Sequence, residues 1–178
     1  MFPFLDDMLG EHPHGVGVMR ISVKSHPMKV HEEPATSSDC GCEHVEILKE
    51  ILCKKYTLLL MYMSYGDQLR EFFRDGVYDH FQEHIEEERE SIYNLNKKIT
   101  ALGSDAHVHH EEVPCIPLDD AREVFNHILR VEEEAICLWS KLFHATEEDV
   151  ALNGMAQDGA VTDQTHADDM KRYLRSHR

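Results

Sequence analysis

From His44 onward the apolar residues recur at spacings of three and four, and the pattern then repeats itself in the second half of the chain. Val45, Leu48, Ile51, Leu52, Leu59 and Met63 mark the face of a first helix. Lys55-Tyr56-Thr57-Leu58-Leu59-Leu60-Met61-Tyr62 aligns with Glu132-Glu133-Glu134-Ala135-Ile136-Cys137-Leu138-Trp139, with an aromatic seven places after the lead residue in each. Glu88-x-x-Ser91-x-x-x-Leu95-x-x-x-Ile99 aligns with Asp163-x-x-His166-x-x-x-Met170-x-x-x-Leu174. The offsets are 77 residues between Lys55 and Glu132 and 75 between Glu88 and Asp163. A chain that repeats a pair of amphipathic helices must bury each stripe against the other, which predicts an all-α four-helix bundle.

Punctuation places the helices. The first is expected over 43–65, ending near Gly66-Asp67. A second begins near Leu69, breaks around Asp75-Gly76 and runs to Leu102, with Lys97-Lys98 in its last turns and Gly103 after it. The third opens at Leu118-Asp119-Asp120 and runs to about Ala145. The fourth is capped by Thr146, interrupted at Gly154 and Gly159, and ends near Leu174. Residues 103–118 then form a long crossover between the second and third helices.

Residues 1–42 read as an extension and 43–178 as the bundle. The extension holds Pro3, Pro13, Pro27 and Pro34 of the chain's six prolines, together with His12, His14, His26 and His31. Val16 to Val23 suits a short strand. Cys40-Gly41-Cys42 before Glu43-His44 suits either a soft metal or two free thiols.

Charge decides which partners are excluded. Asp and Glu number 34 against 18 Lys and Arg, a formal net charge of −16, so nucleic acid and anionic membranes are repelled and cations attracted. The five cysteines suit a reducing compartment. With no signal segment and no membrane-length apolar run, a cytoplasmic protein is expected.

The spacing also places chemistry. An acid at i and a histidine at i+3 lie on one helical face. Glu88, Glu132, Asp163 and His166 are flanked by apolar residues that continue that face, so all four are predicted to point into the bundle interior. Carboxylates and imidazoles converging from several helices can hold two metal ions, and without cations their burial would be very costly.

At these residues the chain resembles the ferritin-like superfamily, in its bacterioferritin, rubrerythrin-like and Dps-like branches. The run Asp79 to Ala106 looks like that family's second helix and Ile116 to Trp139 like its third; the likeness covers about 43–175. It implies a di-iron site with Glu on the first helix, Glu-x-x-His on the second, Glu on the third and Glu-x-x-His on the fourth. Glu88, Glu132, Asp163 and His166 match, Asp163 being one carbon short. Lys55 and Ser91 stand where a carboxylate and a histidine should be.

The resemblance therefore implies iron, one or two ions or none, in a partly lost site. Lys55 is predicted to reach inward and pair with Glu88 or Glu132. If the register is shifted by a turn, Glu46 or Glu50 supplies the acid instead. His84, one turn before Glu88, could replace the missing histidine, and His80 lies a turn further back. Tyr62, Tyr65 and Tyr93 are placed either near the metal or in ordinary core. Of the run Glu86-Glu87-Glu88, one acid is expected inside.

Two functions follow. One is iron binding and ferroxidase-type oxidation, with storage or detoxification, in a homo-oligomer. The other is a non-catalytic scaffold acting through a protein partner of the extension.

Overall fold

The computed structural model describes residues 39–69, 76–116 and 121–176. The extension, with its strand at Val16 to Val23, lies outside them, as do the side chains of Cys40 and Cys42. The described residues form four helices and no strand. They are α1 (Asp39–Leu69), α2 (Val77–Ala101), α3 (Ala121–Ala145) and α4 (Val150–Ser176).

The ends of α2 and the start of α4 have local causes. Gly76, at φ 101°, opens α2. At its other end Gly103 takes φ 80°, and Leu102 and Ser104 return backbone hydrogen bonds to Lys98 and Ile99, closing the helix as its sequence predicted. The cap of α4 differs from expectation. Asp149 rather than Thr146 accepts the amides of Ala151 and Leu152, at 3.1 and 3.0 Å, while Thr146 donates to the Leu142 carbonyl at the end of α3.

Two predicted breaks are absent. α1 runs past Gly66, which faces Phe81 of α2 so closely that a Cβ would come within 3.4 Å of its ring. α4 runs unbroken through Gly154 and Gly159. A Cβ at Gly159 would lie 2.4 Å from the Trp139 indole. Both Gly66 and Gly159 therefore admit a neighbouring ring rather than ending a helix.

Pairings fix the topology. Lys55 meets Glu88 while Tyr62 meets Phe81, so α1 and α2 are antiparallel. Trp139 meets Asp163 while Phe125 meets Tyr173, so α3 and α4 are antiparallel. Tyr62 reaches Glu132 and Tyr65 reaches His127, which sets α1 against α3. It follows that α2 and α3 run the same way, and the link between them must travel back along the bundle. A helix of this length spans about 37 Å at about 1.5 Å per residue, within reach of the 102–120 segment. That crossover is clamped to α1. The Glu111 amide donates to Thr57 Oγ1 at 2.9 Å, Glu111 pairs with Lys54, and Tyr65 donates to the Pro114 carbonyl at 2.9 Å.

The core has three layers. One apolar cluster gathers Leu58, Tyr62, Phe81, Phe125 and Tyr173, and another gathers Leu48, Ile51, Leu95, Trp139 and Leu152. Between them lie five buried charged or titratable side chains, one or two from each helix: Lys55, Glu88, Glu132, Asp163 and His166.

Candidate metal centre

The helical period delivers these five. Lys54 and Lys55 show how finely. Successive residues turn by about 100° around a helix, so Lys54 reaches Glu111 and Glu134 at the edge while Lys55 enters the interior and is 1% exposed. Glu88, Glu132, Asp163 and His166 are each 0% exposed. One ligand atom from each lies within 4.8 Å of all the others, so the predicted convergence is present.

Lys55 donates to Glu88 Oε1 at 2.8 Å and to Asp163 Oδ1. The expected pairing with Glu88 is present, and Asp163 is a further partner that the sequence did not point to. Glu132 is engaged elsewhere: Tyr62 donates to its Oε1 at 2.6 Å and His166 Nδ1 lies 3.2 Å from the same atom. Asp163 is fully occupied, because Trp139 Nε1 donates to Oδ2 at 2.9 Å. His166 Nδ1 is also 3.4 Å from Glu88 Oε1, and its Nε2 is 2.6 Å from Glu87.

The proton affinities follow from these contacts. Burial alone would lower Lys55, but Glu88, Asp163 and Glu132 reverse that and hold the ammonium charged. Burial would likewise lower His166, yet its hydrogen bonds to Glu132 and Glu88 push it up to about 11. Glu88 is raised by burial and pulled back further by Lys55 and His166, ending below its ordinary value. Burial carries Asp163 up to about 7 in spite of Lys55. Burial and Glu132 keep the Tyr62 phenol well above its usual range.

Two atoms remain unsatisfied. Glu88 Oε2 and Glu132 Oε2 are buried without any hydrogen-bond partner. Buried carboxylate oxygens without a partner are costly, and a cation within reach of both removes that cost. Charge sets the number of cations. Three carboxylates and one ammonium sum to −2, so one divalent ion with a neutral His166 makes the centre neutral, and two would leave it at +2 in a buried site. The donor set therefore fits one ion. Glu88, Glu132 and His166 Nδ1 are its open donors, and Asp163 is tied up by Lys55 and Trp139.

Other predictions divide. The shifted register is ruled out: Glu50 is exposed, and the Glu46 side chain is 67% exposed and pairs with Lys49. Ser91 is half-buried and lines an open groove of about 780 Å³ with Trp139, Gly159 and Asp163. Tyr93, 65% exposed, is neither core nor site, and Tyr65 serves the crossover. His80 bonds Tyr173. His84 does not enter the group of four; with Glu87 and His166 it forms a second group beside it. Sequence reading overlooked Glu87, although its place three residues after His84 was a usable signal.

The comparisons agree with this architecture. A family model described as ferritin-like domain matches residues 45–178. A solved ferritin-like, diiron-carboxylate protein from Bacillus anthracis is similar over 78% of this chain and 99% of its own, with 22% identity and a TM-score of 0.72. A bacterioferritin from Rhodobacter capsulatus, solved with a metal-free dinuclear site and haem iron, is similar over 76% of this chain and 86% of its own, with 15% identity and a TM-score of 0.69. At those identities the likeness is one of fold. No curated protein matches the chain.

Proposed function

Because the chain belongs to the ferritin-like domain family, we propose that it is a metal-binding bundle that holds a single ferrous ion as cargo at Glu88, Glu132 and His166, three of the four residues expected as ligands. The observation that carries this reading is the pair of orphan oxygens, Glu88 Oε2 and Glu132 Oε2, opposite a lysine that has taken one cation's place. Asp163 acts by anchoring Lys55. Tyr62 orients Glu132, and the two apolar layers keep water from the site. Fast two-electron oxidation needs a second ion close by, and Lys55 fills that space. Retention or slow oxidation of Fe(II) therefore suits the centre better than rapid ferroxidase turnover or mineral storage. The reading extends to a homo-oligomer, supported by exposed Leu60, Met63 and Val161, in the cytoplasm; no described helix is long and apolar enough to cross a membrane. Residues 1–42 would be a separate extension.

Anaerobic Fe(II) titration of tag-free protein tests this, with one ion per chain expected and oxygen consuming it slowly. Binding of two irons with fast oxidation would overturn it. Binding of none would favour a metal-free scaffold that acts through a partner of the extension. One observation speaks for that alternative: Lys55 and a protonated His166 already offset two of the three carboxylate charges.

A further inference from the structure

The seam between α2 and α4 lacks the close backbone packing of the other three helix contacts and is filled by polar side chains. His84 is buried there at 4% exposure, and neither of its ring nitrogens has a hydrogen-bond partner. An imidazole with both nitrogens stranded next to carboxylates calls for an explanation. Its Nδ1 lies 3.6 Å from Glu87 Oε2 and its Nε2 lies 3.5 Å from Asp169 Oδ2. His166 lies alongside, tilted by 48° with ring centroids 4.0 Å apart, and its Nε2 contacts the same Glu87 oxygen at 2.6 Å.

The His84 Nδ1–Glu87 separation is long for a hydrogen bond and natural for two ligands of one ion, which would take the place of the hydrogen bond between His166 Nε2 and Glu87. Two donors each about 2.05 Å from a tetrahedral zinc lie about 3.3 Å apart. The ligand atoms of His84, Glu87 and His166 all fall within 4.8 Å of one another. Asp169 sits where it can accept the second N–H of His84, the usual partner of a metal-bound imidazole. The Glu87 side chain is 53% exposed, so the fourth position faces solvent.

We infer a second, outer metal site made of His84, Glu87 and His166 Nε2, positioned by Asp169, that takes a zinc-class ion with a solvent-side ligand. Two imidazoles and one carboxylate with an open fourth position form a zinc donor set, where the divalent affinity order favours cobalt and zinc over iron, whereas the inner centre, richer in carboxylates, suits iron or manganese. A neutral imidazole has one lone pair. His166 can serve the inner centre through Nδ1 or the outer site through Nε2, but not both. The chain thus holds an inner ion or an outer one, and the two compete. The outer site stands on its own geometry; only the competition rests on the inner reading.

Titration of the full chain with Co(II), an optical stand-in for zinc, tests it. Wild type is expected to bind one Co(II) with the strong visible bands of low coordination number. His84→Ala and the more exposed Glu87→Gln should each weaken Co(II) by more than about 100-fold, and Asp169→Asn by about tenfold. Anaerobic Fe(II) binding should persist in Glu87→Gln, and Fe(II) should displace Co(II) from wild type. Glu132→Gln should lose Fe(II) and keep Co(II). Unchanged Co(II) binding in Glu87→Gln, or its loss in Glu132→Gln, overturns the outer site. Loss of Fe(II) alone from wild type, with Co(II) still dependent on Glu87, overturns only the inner reading.

Discussion

The helix pairs α1/α2 and α3/α4 place unlike residues at equivalent positions, and the differences compensate one another. Lys55 stands opposite Glu132 in the repeat and Ser91 opposite His166, so the first pair brings a cation where the second brings ligands. The same offset sets His84 against Gly159. In the first pair Tyr62 packs on His84, with centroids 5.2 Å apart. In the second the larger Trp139 covers Gly159 and donates to Asp163. The first half thus brings an ammonium, and the second uses its indole to fix one of the carboxylates that holds it. A buried ammonium is tolerated on one side only if the other side supplies charge and hydrogen bonds to match it.

Breaking that adjustment should give the largest effect. Lys55→Ala leaves Glu88 and Asp163 without their cation and should destabilise the metal-free protein by about 3–5 kcal/mol, measured by denaturant unfolding. Added Fe(II) or Mn(II) should restore part of the loss, and full wild-type stability without metal would contradict the account. Tyr62→Phe removes the hydroxyl that satisfies Glu132 and should cost about 1.5–3 kcal/mol. Gly159→Ala pushes against Trp139; overpacking of about 1–3 kcal/mol is partly offset by about 1 kcal/mol of helix propensity. A blue-shifted or broadened tryptophan emission would report the displaced indole.

Acid and base should separate the two adjacent imidazoles. His84 is pushed by burial and by His166 down to about 4 from an ordinary 6.5, so its contribution is lost as pH falls through that interval. Asp163, raised from 3.8 to about 7, holds more protons folded than unfolded over nearly the same range and largely cancels that slope. His166 remains. Raised from 6.5 to about 11, it stabilises fully below 6.5 and loses that contribution as pH climbs through 11. Metal-free protein should therefore lose stability on the alkaline side at up to about 1.4 kcal/mol per pH unit, and His166→Gln should remove the part of that limb that lies below the ordinary range of lysine and tyrosine, above which Lys55 and Tyr62 add their own loss. Metal binding at either site needs the His166 proton to leave, so affinity should rise about tenfold per pH unit in the neutral range. The smallest effect is expected at Glu46, where Ala should change stability by less than about 0.5 kcal/mol and leave metal content unchanged.

Much of this was legible in the sequence because helical periodicity and the repeat act over many residues. Lys55, Glu88, Glu132, Asp163 and His166 each sit on an apolar stripe, which is enough to send a side chain inward. Glycines were harder to read. Gly66 and Gly159 look like helix breaks when only backbone entropy is considered, and their reason is a ring from another helix. Partner choice was harder still. Glu88 was foreseen as a partner of Lys55; that Asp163 joins it depends on the shorter acid and on Trp139 holding its other oxygen, a three-helix arrangement that no local spacing encodes. Glu87 escaped because its side chain is half exposed, and only its contacts with the two histidines set it apart from Glu86.

The claim that Lys55 substitutes for a second metal ion is tested most directly by restoring both lost ligands together. Anaerobic Fe(II) titration of the Lys55→Glu, Ser91→His double variant, followed by oxygen, should show two irons per chain where wild type binds one, with much faster oxidation. A variant that still binds one iron, or a wild type that already binds two, would contradict it.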